Sequence, residues 1–278
     1  MHDTLSLGKH TEYPKSYAPE VLDAIPRAMS REALVRDWPD NTPQPPMHGH
    51  DVWHAYEVSW VNSRGKPLVG CVTLTIPCAS EFIVESKSLK LYLNSLNQHV
   101  FTDAETLIQC IQRDVSNVVG HEVEVVLFDV EAAMRSVTID VHSEWILLDA
   151  LDIEVTHYQV TPDVLAAQGV EVTEGVYSHL LRSSCPVTDQ PDWGSVFVYY
   201  QGAQIEHEAL LKYIVSYRNN QEFHEQCVER MFMDIWQRCQ PTQLIVAASY
   251  MRRGGIDINP IRTSSDSLSF NFPLISRQ

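Results

Sequence analysis

The stretch Glu85-Ser-Lys-Ser-Leu-Lys-Leu-Tyr-Leu-Asn-Ser-Leu-Asn97 sets how the rest of the chain is read. Leu89, Tyr92, Leu93 and Leu96 recur at helical spacing and continue to Val100, while Lys87, Lys90, Asn94 and Asn97 fall on the other side. That pattern is one amphipathic helix. A second helix is predicted to start at Thr102-Asp-Ala-Glu105, which has the spacing of a capping box. Its apolar stripe is Leu107, Ile108, Ile111, Val115 and Val118. Upstream, Trp53–Val61 and Pro67–Ile76 read as strands separated by the turn residues Asn62-Ser-Arg-Gly65, and downstream Glu122–Val130 and Ser136–His142 read as two more. The order is β-β-α-α-β-β.

The same order returns at a constant offset of 122 residues: Leu89-Lys90 falls on Leu211-Lys212, Asn97 on Asn219 and Phe101 on Phe223. Ser195–Tyr200 and Leu244–Tyr250 read as strands of the second copy. Leu210–Tyr217 and Glu225–Arg238 read as its helices, with Val228, Met231, Phe232 and Ile235 inward. Preserved order at one offset marks an internal repeat. The expectation is an α+β chain of two tandem modules, each an antiparallel sheet with helices on one face. The divisions are an arm of little regular structure at 1–45, a first module at 46–150 and a second at 151–278.

The chain has 278 residues and a net charge of −16, which argues against a general nucleic-acid binder. No apolar run approaches the roughly 20 residues of a membrane helix. Met1-His-Asp-Thr-Leu-Ser6 shows no basic region followed by an apolar block, so a cytoplasmic protein is expected. The six cysteines form no C-x-x-C pair, a pattern of reduced thiols rather than of a disulfide framework.

The two halves differ in their chemistry. Only the first has Glu85-Ser86-Lys87. Only the second has Cys185 seven residues before Asp192, the pair His224-Glu225, and Arg252-Arg253-Gly254-Gly255. Cys185 with Asp192 offers a nucleophile and a proton-handling group, although a buried thiol and a turn aspartate account for the same residues. Glu85-Ser-Lys87 suits an ordinary helix N-terminus, and equally an anion site built from free N–H groups, a hydroxyl and an ammonium. Glu225 suits a first-turn carboxylate, and also the N–H/NH2 edge of a purine. The Arg-Arg-Gly-Gly segment is either a basic turn or a phosphate clamp. His48, His50 and His54 form an H-x-H-x-x-x-H run with no completed metal-ligand spacing, so no metal is expected. If the two sets form one site, it lies where the modules meet.

These four motifs, with Gln190-Pro-Asp192-Trp-Gly194 and Glu222-Phe-His-Glu-Gln-Cys-Val-Glu-Arg230, resemble the NADPH-dependent 7-cyano-7-deazaguanine reductases. The likeness is to the two-module branch, and it covers nearly the whole chain. The resemblance implies the tunnelling fold, a covalent thioimide at Cys185 and Asp192 as proton donor. It implies deazapurine recognition by Val84, Glu85, Ser86, His224 and Glu225, and NADPH contacts at Ser86, Lys87, Arg253 and Gly254. A small-molecule deazapurine substrate and a homodimer go with it. The rival readings are a zinc-dependent GTP cyclohydrolase-like hydrolase of the same fold and a non-catalytic purine or pterin binder.

Overall fold

The computed structural model describes residues 13–36, 38–39, 43–135, 145–273 and 275–278. The chain is α+β and its contacts divide it into two units, each discontinuous in sequence. One comprises 1–32, 50–138 and 252–258, the other 33–49, 139–251 and 259–278. This division differs from boundaries at 46–150 and 151–278. Of the described residues, those within 33–49 and 145–150 go with the second unit, and 252–258 go with the first.

In the first unit the arm is more regular than its prolines predict. It holds a strand, β1 (Ala24–Pro26), and runs into a helix, α1 (Arg27–Val35). Ala, Met, Arg, Glu and Leu make α1 a good helix sequence despite the prolines on either side. Two strands follow, β2 (His48–Val61) and β3 (Pro67–Pro77), then a short strand, β4 (Phe82–Val84). β1 pairs with β4, Ala24 opposite Val84. Arg27 is buried and its Nη2 lies 2.5 Å from Asp51 Oδ2, while its Nε donates to Ser80 Oγ. A buried guanidinium needs such partners.

The two predicted helices are α2 (Ser86–Ser95) and α3 (Ala104–Val119), followed by β5 (Glu124–Phe128) and α4 (Val130–Arg135). Leu89, Tyr92, Leu93 and Leu96 are buried as the periodicity requires, but Val100 is exposed. The chain turns after α2, with Asn97 N–H donating to Asn94 and His99 N–H to Leu96, and this carries Val100 out of the stripe. The cap of α3 is Asp103, whose side chain accepts from Thr106 N–H. The buried face of α3 is Leu107, Cys110, Ile111, Asp114, Val115 and Val119, so Ile108 and Val118 lie at its margin. Asp114 is inward because the Tyr17 and Tyr92 hydroxyls donate to its Oδ2 at 2.6 and 2.7 Å. The strand order is β5-β3-β2, all antiparallel, with a bulge between Ala55 and Val58. The strand expected over Ser136–His142 lies outside the described residues.

The second unit contains β6 (Ile146–Leu147), β7 (Ala167–Ser184), β8 (Pro191–Ile205), α5 (His207–Ser216), α6 (His224–Cys239) and β9 (Gln243–Tyr250). A last strand, β10, runs Ile256–Thr263, and its residues Ile261–Thr263 pair with Ile245–Ala247 of β9. The order continues from β9 through β8 and β7 to β6. One face packs on the helices: Val176, Leu181, Val196, Val198, Val246 and Tyr250 share a core with Leu210, Ile214, Val228, Met231, Phe232 and Ile235. The opposite face carries Phe197, Ile245, Ala247 and Ile261 under Trp145, Tyr177, Phe270 and Phe272. Each of β7, β8, α5, α6 and β9 begins within three residues of 122 past β2, β3, α2, α3 and β5 respectively. No helix of the described residues is long and apolar enough to cross a membrane.

Candidate active site

The Cys185–Asp192 spacing is a β-hairpin. Ser183 of β7 is the register partner of Asp192 in β8, and Ser184 that of Pro191. Residues opposite one another share a face and faces alternate along a strand. Ser183 and Asp192 therefore point the same way, and Cys185, two residues on, continues that face. It is the helix-covered face, since Leu181 and Tyr250 belong to the core there.

The turn is held from within. Cys185 N–H donates to Gln190 O and Asp189 N–H donates to Cys185 O, at 2.9 and 3.0 Å. Asp189 takes φ 53°, which aspartate tolerates better than most residues, and accepts from Gln221 Nε2. Both backbone polar groups of Cys185 are thus occupied, and the side chain is what the turn presents. Cys185 is 9% exposed and Asp192 2% exposed.

The N-terminus of α6 brings His224 to the same place. Its Nε2 is 3.3 Å from Asp192 Oδ2, within ion-pair reach but without the alignment of a hydrogen bond. Its ring stacks on Tyr250 at 3.9 Å between centroids, 20° between planes. Glu225 is buried in the first turn of α6, where a carboxylate offsets the helix dipole. Sequence reasoning missed Tyr250 and Ser183. Tyr250 closes a predicted strand one residue before the Met251-Arg-Arg-Gly-Gly segment, and Ser183 precedes Cys185 by two. Their period-2 placement was the available signal.

The other predicted residues lie in the first unit. Val84 is buried in β4, and Glu85 is itself the N-cap of α2: its two carboxylate oxygens accept from Lys87 and Ser88 N–H, each at 2.8 Å. Glu85 N–H donates to Asp23 O, so the arm holds the start of α2. An ionised carboxylate offers about four acceptor sites, so capping leaves Glu85 acceptor capacity. Burial pushes its pKa above the usual carboxylate range against the pull of both N–H groups and Lys90. Arg253-Gly254-Gly255-Ile256 is a tight turn closed by Ile256 N–H to Arg253 O at 3.3 Å, with Arg253 N–H donating to Ile256 O at 2.9 Å and φ of 59° and 81° at the two glycines. Those angles fit a type I′ turn. A Cβ on Gly254 would meet the Lys90 side chain at 3.2 Å. The turn therefore lies against α2, three residues along from Lys87. Cations and a glycine backbone open to close approach suit a phosphate-bearing ligand.

The three histidines of β2 do not converge: His48 Nδ1 is 2.6 Å from Asp266 in the second unit, and His54 Nδ1 is 2.8 Å from Asp257 in the first. Among the described residues no group of three His, Cys, Asp or Glu side chains is placed to hold a metal ion. A hollow of about 580 Å³ in the second unit, lined by Leu151, Ile153, Tyr158, Leu180, Leu211 and Arg218 among others, contains none of the predicted site residues.

Fold and site define the class: a two-module α+β protein with a cysteine and a buried aspartate on one β-hairpin beside a helix-borne histidine. Residues 13–127 match the family model described as nitrile reductase, 7-cyano-7-deazaguanine-reductase N-term, and residues 191–268 match that of QueF-like protein. The NADPH-dependent 7-cyano-7-deazaguanine reductase of Coxiella burnetii (strain Dugway 5J108-111) is 46% identical over 97% of this chain and 95% of its own. The protein of that name from Legionella pneumophila (strain Lens) is 49% identical over 93% and 89%. A solved archaeosine synthase QueF-Like structure in the apo form aligns at 19% identity and a TM-score of 0.30, covering 34% of this chain and 94% of that one. The chain belongs to the family of the NADPH-dependent 7-cyano-7-deazaguanine reductases.

Proposed function

We propose that this oxidoreductase reduces the nitrile of 7-cyano-7-deazaguanine to the primary amine through a thioimide on Cys185, a step in making the queuosine of tRNA. The observation that supports this reading is the hairpin register that pairs Ser183 with Asp192 two residues before Cys185, with His224 at 3.3 Å from the aspartate. A nitrile carbon accepts hydride poorly until activated. The Cys185 sulfur adds to that carbon, and Asp192 protonates the nitrogen, giving a C=N bond on a tetravalent carbon. NADPH supplies hydride, once to the thioimide and once to the imine left after the thiolate departs. Two NADPH and two protons thus convert nitrile to amine. Covalent attachment keeps the first reduced species from water.

Glu85, with Val84 and Ser86 beside it, and His224-Glu225 are the proposed binders of the deazapurine. Lys87, Arg253 and Gly254, with Ser86, are those of NADPH. The same reading has a cytoplasmic homodimer with no direct contact to nucleic acid, in keeping with a net charge of −16. The test is intact mass after incubation with 7-cyano-7-deazaguanine and no NADPH. A gain of the substrate's mass is expected, and its absence at saturating substrate rejects the mechanism.

Substituting Glu85 or Glu225 is expected to weaken deazapurine binding by roughly 1–3 kcal/mol or more, the range of a lost charge-assisted bond. Because Glu85 also caps α2, Glu85→Ala loses a cap worth roughly 0.5–2 kcal/mol of stability as well. Glu85→Gln keeps the shape and separates the two effects when titration calorimetry is set beside thermal melting. Since burial raises the Glu85 pKa, its contribution to binding fades, as pH falls, at a higher pH than that of an ordinary glutamate. Unchanged affinity in both Glu85→Gln and Glu225→Gln refutes their assignment.

Arg253→Ala is expected to raise the KM for NADPH while the Cys185 adduct still forms without cofactor. The extra phosphate of NADPH over NADH favours a planar guanidinium that holds it in a bidentate way. Steady-state kinetics with both cofactors checks this: an unchanged NADPH KM with unchanged preference over NADH places the phosphate site elsewhere.

A further inference from the structure

Asp257, Tyr56 and His54 form one cluster beside the Arg252–Gly255 turn, joined to it through Tyr56. The Asp257 side chain is 0% exposed. A carboxylate taken from water must have its oxygens satisfied. Tyr56 donates its hydroxyl to Oδ2 at 2.6 Å, and His54 Nδ1 lies 2.8 Å from Oδ1, where the acceptor-only carboxylate makes the imidazole nitrogen the donor. Both partners come from β2 and share its face, two residues apart.

From there the contacts lead to the turn. The Arg252 guanidinium sits over the Tyr56 ring at 4.5 Å from its centroid, a cation–π contact. Tyr56 N–H donates to Gly255 O at 2.9 Å. One residue thus holds the turn at both ends, by its ring at Arg252 and by its backbone at Gly255. A Cβ on Gly255 would meet the Glu57 side chain at 3.4 Å, and Gly254 is backed by Lys90. Arg252, Gly254 and Gly255 each lie against β2 or α2. A buried anion fixes the Tyr56 ring, and the ring fixes the arginine stacked on it.

We infer that Asp257, through Tyr56, is a positioning residue for the NADPH phosphate site, holding the Arg252–Gly255 turn in the geometry that binds the dinucleotide. This rests on the proposed assignment of Arg253 and Gly254 to NADPH. Neither Asp257 nor Tyr56 is placed on the reacting atoms. A defect in the anchor acts on cofactor capture and leaves thiol addition alone.

The experiment compares Tyr56→Phe, which keeps the ring but loses the hydroxyl, with Tyr56→Leu, which loses both, and includes Arg253→Ala and Asp257→Asn. Each is assayed for NADPH KM, for the rate of Cys185 adduct formation without cofactor, and for thermal melting. The expected order of NADPH KM is wild type, then Tyr56→Phe, then Tyr56→Leu, with the last raised roughly tenfold or more, since small misplacements of binding groups carry costs of that size. Adduct formation is expected to stay within twofold of wild type in both. If Arg253→Ala raises the KM and both Tyr56 variants leave it unchanged, the positioning role is overturned while the phosphate site stands. If Arg253→Ala leaves it unchanged, the phosphate assignment fails and the inference falls with it. A folded Asp257→Asn that matches Tyr56→Phe supports the chain of contacts. Slowed adduct formation in step with a lowered melting temperature in the Tyr56 variants shows a merely structural role and overturns it.

Discussion

Cys185→Ala is expected to abolish adduct formation with 7-cyano-7-deazaguanine and to lower turnover by on the order of a thousandfold or more, the scale on which removal of a covalent nucleophile acts. The reason lies as much in the other thiols as in Cys185. The thiolate is the nucleophile, and burial in apolar surroundings disfavours it. Burial pushes the thiols of Cys71 and Cys110 up, that of Cys227 up strongly, and that of Cys239 up to about 12. Cys227 is fully buried three residues after His224 on α6, among Ser183 and Tyr250, and is the rival nearest the site. It has a fixed neighbourhood and no access. Cys185 stands at the end of β7 in a turn whose backbone bonds are already made. Wild type should gain the substrate's mass without NADPH and Cys185→Ala should not. A peptide map that places the adduct on Cys227 or Cys239 removes Cys185 from the mechanism.

Asp192→Asn is expected to lose nearly all amine product while deazapurine binding remains detectable. The substitution keeps the planar shape and the β7–β8 register but removes the proton-carrying group, and positioned acid–base catalysis is typically worth roughly 10²–10⁴-fold. Asp192 is 2% exposed, so bulk water is a poor substitute for it. His224 lies 3.3 Å from Oδ2 and stacks on Tyr250, so the carboxylate faces a polar neighbour rather than solvent. An asparagine variant with full activity refutes the role.

Much of the fold was legible because helix and strand periodicity are local. Leu89, Tyr92, Leu93 and Leu96 announce a buried helix face wherever the helix packs, and so do Val228, Met231, Phe232 and Ile235. The 122-residue offset then predicted two modules of the same order, because elements that pair antiparallel with short connections leave few other arrangements. Where the pattern departed from the fold, a local turn carried Val100 out of the α2 stripe and long-range partners drew a polar residue into the α3 core. Asp114 sits in the α3 core because two tyrosine hydroxyls reach it, one from the arm and one from α2. The arm was expected to be irregular because its prolines are visible locally, whereas the pairing of β1 with β4 is not.

By itself the sequence determined the α+β class, the repeat, and which residue types are available for thiol and proton chemistry, since composition and spacing depend only on neighbours along the chain. Tertiary structure alone decided which residues stand together. It set Cys185 and Asp192 on one hairpin face, made Glu85 a helix cap as well as a candidate ligand, and gave the Arg252–Gly255 turn to the first unit. It also distinguished Asp257, which in the sequence looks like any solvated aspartate, by closing it off from water. A buried carboxylate must recruit donors from wherever the fold brings them, and here they come from β2, some two hundred residues upstream in the chain.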